Sequence, residues 1–417
     1  MKLGATTSPV PTAAWLDHHC DDLVEVATGS VHPEGGFAWL DDHGSARLDR
    51  DVETWICARM THVFALASMR GDESATALLD HGVRALFGRL RDAEHGGWFT
   101  AVNADGPTVP DKRAYEHAFV ILAGASARAA GHPRGAELLD EALGTFETRF
   151  WDEEKGLAVD VWDRTWRELE DYRGVNANMH TVEAFLAAAE VTGDRRWTAR
   201  AARIVEQVVH GFAATNGYRL PEHFTADWST RFDYNREAPA HPFRPYGVTV
   251  GHLLEWSRLT LQTRLALEAG APAWMLEDAR ALFEVAVADG WSVDGAEGFV
   301  YTTDFEGRPV VRDRLHWVVT EGIAAAWTLY ETTGDERYAE LYRLWWDHAQ
   351  RLFIDQSGSW RHELDPHNKP AATVWDGRPD VYHAYQAALL PRLGPCASFV
   401  GGLAVLTGGG SFSGRAG

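Results

Sequence analysis

Along most of the chain, apolar residues recur at i, i+3, i+4 and i+7, the spacing of a helix with one buried face. The clearest runs are "RAYEHAFVILAGASARAAG" from Arg113, "HTVEAFLAAAEVTGD" from His180, "LHWVVTEGIAAAWTLYETTGD" from Leu315 and "DVYHAYQAALLPRLG" from Asp380. All are rich in Ala and Leu, which cost little to hold in a helix. The first three close on a Gly-His or Gly-Asp turn, and a more charged amphipathic run follows, as in "ERYAELYRLWWDHAQRLF" from Glu336. Between the helical pairs the pattern changes to short extended stretches of alternating polarity. Each is opened by Gly with an aromatic or aliphatic residue and closed by Asp with a polar turn, the signature of a tight hairpin.

These loops lie at Gly36 ("GGFAWLDDHG"), Gly97 ("GGWFTAVNADG"), Gly156 ("KGLAVDVWDRTW"), Gly217 ("NGYRLPEHFTADW"), Gly298 ("EGFVYTTDFEG") and Gly358 ("SGSWRHELDPHN"). Their spacings are 61, 59, 61, 81 and 60 residues. A period of about 60 residues holding two helices is a structural repeat. Six such pairs predict an all-α fold, an (α/α)6 barrel of six inner and six outer helices with short β-hairpin-like loops at one end. With no linker in sight, residues 1–393 read as a single catalytic domain. From Gly394 the composition shifts to Gly and Ser, which predicts a flexible, dispensable tail over 394–417. The longer spacing marks an insertion within 219–247, "HFTADWSTRFDYNREAPAHPFRPYG", expected to form a lid or rim over one mouth.

A net charge of −21 disfavours nucleic acid and anionic membranes as partners. There is no signal-type apolar segment in "MKLGATTSPVPTAAWLDHH", and no apolar run of membrane-spanning length. Three widely spaced cysteines, Cys20, Cys57 and Cys396, suggest neither a disulfide framework nor a thiolate zinc site. The expectation is a cytoplasmic monomer or small homo-oligomer acting on a small neutral molecule. Its 18 tryptophans serve as core or as walls for a sugar, whose C–H faces stack on indole.

The candidate chemistry lies in histidines that share a helical face with a carboxylate. His180 precedes Glu183 by three residues, His252 precedes Glu255 by three, and His383 follows Asp380 by three. All three stand near the starts of inner-type helices, so the repeat would bring them to one mouth. Imidazole suits proton transfer near neutral pH, and a neighbouring carboxylate fixes its tautomer. The alternative is a metal site, since Glu-x-x-His pairs ligate iron in helical bundles, although the order here is reversed. Arg59 and Glu321 are isolated charges in otherwise apolar inner helices and need strong partners. Tyr115, Asn176 and Arg244 stand at helix starts or on the insertion, able to bond ligand hydroxyls, while Glu116 and His117 read as packing or rim residues.

Four stretches, "RMTHVFALA", "NANMHTVEAFLAAAEVTGD", "RPYGVTVGHLLEWSRL" and "WDGRPDVYHAYQA", resemble the N-acylglucosamine 2-epimerase superfamily over nearly the whole chain to Leu393. The likeness is greater to its aldose–ketose isomerase branch, the mannose and sulfoquinovose isomerases. The resemblance implies an (α/α)6 barrel, no cofactor and no metal, and interconversion of D-mannose and D-fructose, with D-lyxose and D-xylulose as a side pair. It further implies that His383 and His252, the latter held by Glu255, move protons through a cis-enediol. Arg59, Tyr115, Asn176, His180, Arg244 and Glu321 would bind the sugar. Glu363, if it pointed inward, would repel a sulfonate. Competing readings are a 2-epimerase of mannose or cellobiose type, an (α/α)6 glycoside hydrolase, which would want two opposed carboxyls, and a non-catalytic binding protein.

Overall fold

The computed structural model describes residues 11–408. Its thirteen α-helices are α1 (Ala13–Thr28), α2 (Thr54–Met69), α3 (Glu73–Phe87), α4 (Ala114–Ala129), α5 (Gly135–Arg149), α6 (Asn176–Thr192), α7 (Arg195–Val205), α8 (Val250–Leu267), α9 (Trp274–Gly290), α10 (His316–Thr333), α11 (Glu336–Leu352), α12 (Tyr382–Leu389) and α13 (Phe399–Leu406). Helices α2, α4, α6, α8, α10 and α12 pack side by side, and α12 returns to α2 to close an inner ring. Outside it, α3, α5, α7, α9 and α11 each pack on the inner helix before them, while α1 packs on α12. The sixth pair is thus built from the two ends of the chain.

The two layers differ in the way their sequences do. Inner helices are buried all round, as in α2, where every residue from Thr54 to Ala67 is buried. Outer helices bury one stripe, as in α11 with Tyr338, Leu341, Tyr342, Trp345, Trp346 and Ala349. The Gly-Asp turns between layers work as caps. Gly193 and Gly334 take left-handed φ of 73° and 70°, and the next residue caps the outer helix: Asp194 accepts from the Arg196 N–H and Asp335 from the Arg337 N–H, each at 3.0 Å.

At the other end the hairpin loops form a continuous crown. A two-residue strand just before each of the first five inner helices pairs antiparallel with the next loop: Val52–Glu53 with Ala101–Val102, Lys112–Arg113 with Val161–Trp162, and Arg173–Gly174 with His223–Phe224. Val248–Thr249 with Thr302–Thr303 and Arg314–Leu315 with Glu363–Leu364 continue it. A bridge from Leu40 to Arg378 closes it. The crown also sets helix register. Thr54, Ala114, Val175, Val250 and His316 each donate a backbone N–H to a crown carbonyl, those of Thr100, Asp160, Glu222, Tyr301 and His362. Counted from that bond, the next residue is Trp55, Tyr115, Asn176, Gly251 or Trp317, and the fifth is Arg59, Phe119, His180, Glu255 or Glu321.

The tail expected from Gly394 is instead ordered through α13. Ser398 caps this helix and donates its hydroxyl to Glu190 in the last turn of α6, and Phe399, Val400 and Leu403 are buried against α2, α4 and α6. Glycine content concealed the helix, yet the glycines let it pack closely: a Cβ on Gly401 would stand 2.2 Å from a Glu190 carboxylate oxygen, and one on Gly402 2.9 Å from the Leu393 side chain. Residues 409–417 lie outside the described residues. Among the described residues no helix is long and apolar enough to cross a membrane.

Candidate active site

A cavity opens at the crown end of the inner ring, walled by Trp55, Phe243, Trp317 and Trp375. Of the residues expected from the sequence, Arg59, Tyr115, Asn176, His180, His252, Glu255 and His383 line it. Five of them come together because the first or fifth position after a crown bond turns toward the cavity, while His252 stands one residue further along α8 and His383 is on α12. Upper positions carry Trp55, Tyr115, Asn176 and Trp317, and deeper ones carry Arg59, His180 and Glu255. Gly251 completes the upper level as a glycine because Trp317 leans over it; a Cβ would sit 2.3 Å from the indole.

Two imidazoles are fixed through Nδ1. That of His383 lies 2.9 Å from Glu321 Oε1, and that of His252 lies 2.8 and 2.9 Å from the two oxygens of Glu222. All four side chains are buried. Each Nδ1–H therefore donates to its carboxylate, and each Nε2 is left as the basic atom. His252 and His383 both pack against the Trp317 indole, with ring centroids 5.2 and 5.9 Å away.

These partners correct the pairs read from i, i+3 spacing. Asp380 belongs to Arg59, whose Nη1 lies 3.1 Å from it while Nη2 donates to the Tyr115 hydroxyl at 3.0 Å. Glu255 does not hold His252: the basic groups beside it are Arg258 at 3.5 Å and His180 Nδ1 at 3.7 Å. His180 and Glu183 are 4.0 Å apart, and Glu183 accepts from the Tyr382 hydroxyl and from Gln386 at 2.7 Å. A three-residue offset places side chains on one face without making them partners; the neighbouring helix supplies the nearer group.

Glu321 lies behind the wall rather than in it. Besides His383 it accepts a hydrogen bond from Arg258 Nε at 3.0 Å, and Arg258 Nη2 adds an ion-pair contact at 3.0 Å. Burial and then the Glu321 charge push the Glu255 carboxyl well above its ordinary range, with Arg258 opposing. Burial pushes Glu321 up as well, but Arg258 opposes it directly. The hydrogen bond from Arg258 to Glu321 favours the charge on Glu321 over Glu255. Burial, reinforced by Arg59 and His180, lowers His383 well below the imidazole range, and burial lowers His180 to about 4.

Arg244 is not brought to this cavity. It makes a two-pronged ion pair with Glu170, both contacts 2.8 Å, lies over the Tyr172 ring, and lines an adjoining cavity. It ties down the insertion, whose Pro242 and Phe243 form part of the site wall. Glu363 does not point inward either; its carboxylate accepts the backbone N–H groups of Thr373, Val374 and Trp375 at 2.7–2.8 Å. Its charge is spent on the loop that carries Trp375, so it is no argument against a sulfonate.

Sequence reasoning missed Glu222, Arg258, His316 and His362. An arginine inside a buried helix is the same signal that exposed Arg59, and Arg258 carries it. Glu222 and His362 occupy the crown position whose carbonyl accepts the helix N–H, a position the loop repeat defines. Among the described residues, two groups present ligand-type atoms within 4.8 Å of one another, His180 with Glu183 and Glu255, and Glu255 with Glu321 and His383. Both share Glu255, and the Arg258 guanidinium beside it already supplies the positive charge a metal would bring.

The chain belongs to the N-acylglucosamine 2-epimerase family, whose model matches residues 35–387. Among proteins of that kind it is similar to the D-mannose isomerase of Thermobifida fusca, 56% identical over 397 residues, covering 94% of this chain and 97% of that protein. The D-mannose isomerase of Pseudomonas cannabina pv. alisalensis is 48% identical over 378 residues, 89% of this chain and 91% of that protein. A crystal structure of a D-mannose isomerase matches the fold with a TM-score of 0.87 at 27% identity, covering 93% of this chain and 99% of the other.

Proposed function

We propose that this chain is a D-mannose isomerase, interconverting D-mannose and D-fructose by proton transfer through a cis-enediol. The observation that carries the reading is the pair of buried imidazoles, each held through Nδ1 by a buried carboxylate, in one aromatic-walled cavity. The likeness to D-mannose isomerases over nearly the full length of both chains supports the choice of sugar. Three cysteines without disulfide partners among the described residues support a cytoplasmic setting.

His252 first moves the anomeric proton from O1 to the ring oxygen, opening the pyranose. His383 Nε2 then takes the proton from C2. The C–H electrons form the C1=C2 bond, and charge gathers on O1, facing the Arg59 guanidinium and the donors around it. A proton passes from O2 to O1, O2 becomes the carbonyl, and His383 returns its proton to C1. Glu321 and Glu222 hold both rings in the tautomer this requires, while Glu255 supplies an uncharged donor beside the enediol.

The test is incubation with mannose in D₂O, followed by NMR. Fructose, with any deuterium confined to the C1 position, is the expected product. Glucose deuterated at C2 without free fructose would instead establish the 2-epimerase reading, in which the second imidazole reprotonates C2 from the opposite face. No turnover of any hexose would overturn both.

A further inference from the structure

One pair of side chains in the cavity has no part in that proton transfer. His316, the first residue of α10, donates its backbone N–H to the His362 carbonyl at 3.0 Å, and the two imidazoles stack with centroids 3.7 Å apart and planes 25° apart. Both rings line the cavity and both are buried, with His316 at 5% exposure. Neither ring nitrogen of His316 makes a well-formed hydrogen bond, although the His362 backbone lies near enough to favour its charged form. A buried imidazole with both nitrogens unpaired costs about 1–3 kcal/mol for each unmet group unless something fills the place. The His316 ring stands 6.4 Å from that of His383 and stacks on His362 of the sixth loop. A sugar whose C1 and C2 lie at His383 has its remaining carbons within reach.

We propose that His316, braced by His362, is a subsite for a hydroxyl on the sugar carbons beyond C2, and that it selects uncharged sugars over those bearing a phosphate or sulfonate. A neutral imidazole offers one donor and one acceptor, which matches a hydroxyl. An anion would need a cation there, and two imidazoles in van der Waals contact cannot both be charged. Of the two guanidiniums that act on this pair, Arg378 is ion-paired with Asp355 at 2.8 Å, and Arg59, beside Asp380, faces the reacting oxygens instead. Burial lowers both imidazoles well below their ordinary range, His383 adding to the effect on His316 and His316 to that on His362.

The inference rests on the isomerase reading for the identity of the sugar, so turnover and binding are measured separately. Wild type, His316→Ala and His316→Asn are compared for kcat/KM on mannose, 4-deoxymannose, 6-deoxymannose and lyxose. Affinity for 1,5-anhydromannitol, which cannot react, is measured by calorimetry. Loss of one hydrogen-bonded hydroxyl predicts that His316→Ala weakens mannose turnover and anhydromannitol binding by about tenfold to a hundredfold. The analogue lacking the contacted hydroxyl should lose less than about threefold on the same mutation, and His316→Asn should restore part of the difference. Equal losses on every sugar would make His316 structural and overturn the proposal, as would unchanged anhydromannitol binding or wild-type turnover of mannose 6-phosphate rivalling that of mannose. Binding that depends on His316 in an enzyme inert toward mannose would keep the subsite and reject the isomerase.

Discussion

An imidazole acts as a base at Nε2 only while its proton stays on Nδ1, so the group facing Nδ1 determines the work of each ring. For His252 that group is Glu222, at 2.8 and 2.9 Å. Glu222→Gln is therefore expected to lower kcat by about tenfold to a thousandfold with little change in KM. Glu255→Gln should cost less than about fivefold, because burial beside Glu321 favours the protonated carboxyl that the amide imitates. Steady-state kinetics on the two variants decide the matter, and the reverse order would restore the pairing read from spacing. The His383 ring should stay neutral well below pH 6.5, since burial disfavours its charged form and Arg59 repels it. NMR of labelled histidines checks this, and protonation of His383 at pH 6.5 or above would contradict it. At this scale the sequence located the imidazoles but not their partners. His180, His252 and His383 stand out as polar residues in apolar helices, whereas Glu222 is one more acid in a loop until the crown defines its place.

Among the elements, the insertion and α13 show how far local pattern reaches. Pro and aromatic content marked 219–247 as a rim, and the structure uses Pro242 and Phe243 as wall. What fixes them there is a contact across 74 residues, Arg244 to Glu170. Arg244→Ala should raise KM for mannose by about threefold to tenfold and leave kcat nearly unchanged, and Arg244→Lys should not restore it, since one ammonium cannot make the two-pronged contact. Equal losses in kcat would place Arg244 in the chemistry instead. Helix α13 escaped detection because its glycines, needed for close approach, lowered its apparent order. Its tie to α6 is sensitive to pH. Burial raises the Glu190 pKa from 4.5 to about 7, with the Ser398 hydroxyl and the Gly401 N–H opposing. A raised folded pKa means the folded state binds more protons between those values, so this residue's contribution to stability falls as pH rises from about 4.5 to 7. Glu190→Gln removes that penalty. Its melting temperature relative to wild type should increase between pH 5 and pH 8, and a difference independent of pH would show that the carboxyl stays ionised.

A toroid has one seam, and here the repeat predicts the six pairs but not how the ring closes. The pairing of α1 with α12 joins residues that no local pattern connects, and nothing in "AAWLDHHCDDLVEVAT" distinguishes it from any outer helix. The seam is held by several bonds: Leu40 pairs with Arg378, Trp39 Nε1 donates to the Asp376 carbonyl at 2.6 Å, and Arg392 reaches Asp17 at 3.0 Å. Beneath them Leu16, Leu23, Val24 and Ala27 of α1 are buried. Because α12 carries His383, loosening α1 would displace the proton-transferring ring directly, and so the seam and the site should fail together. Leu23→Ala removes a fully buried side chain and is expected to cost about 2–5 kcal/mol. Loss of isomerase activity on heating should then coincide with loss of helical circular dichroism in both wild type and variant. Activity lost several degrees ahead of the helices in the variant alone would mean that the seam opens as a separate unit and that the ring is less cooperative than its packing implies.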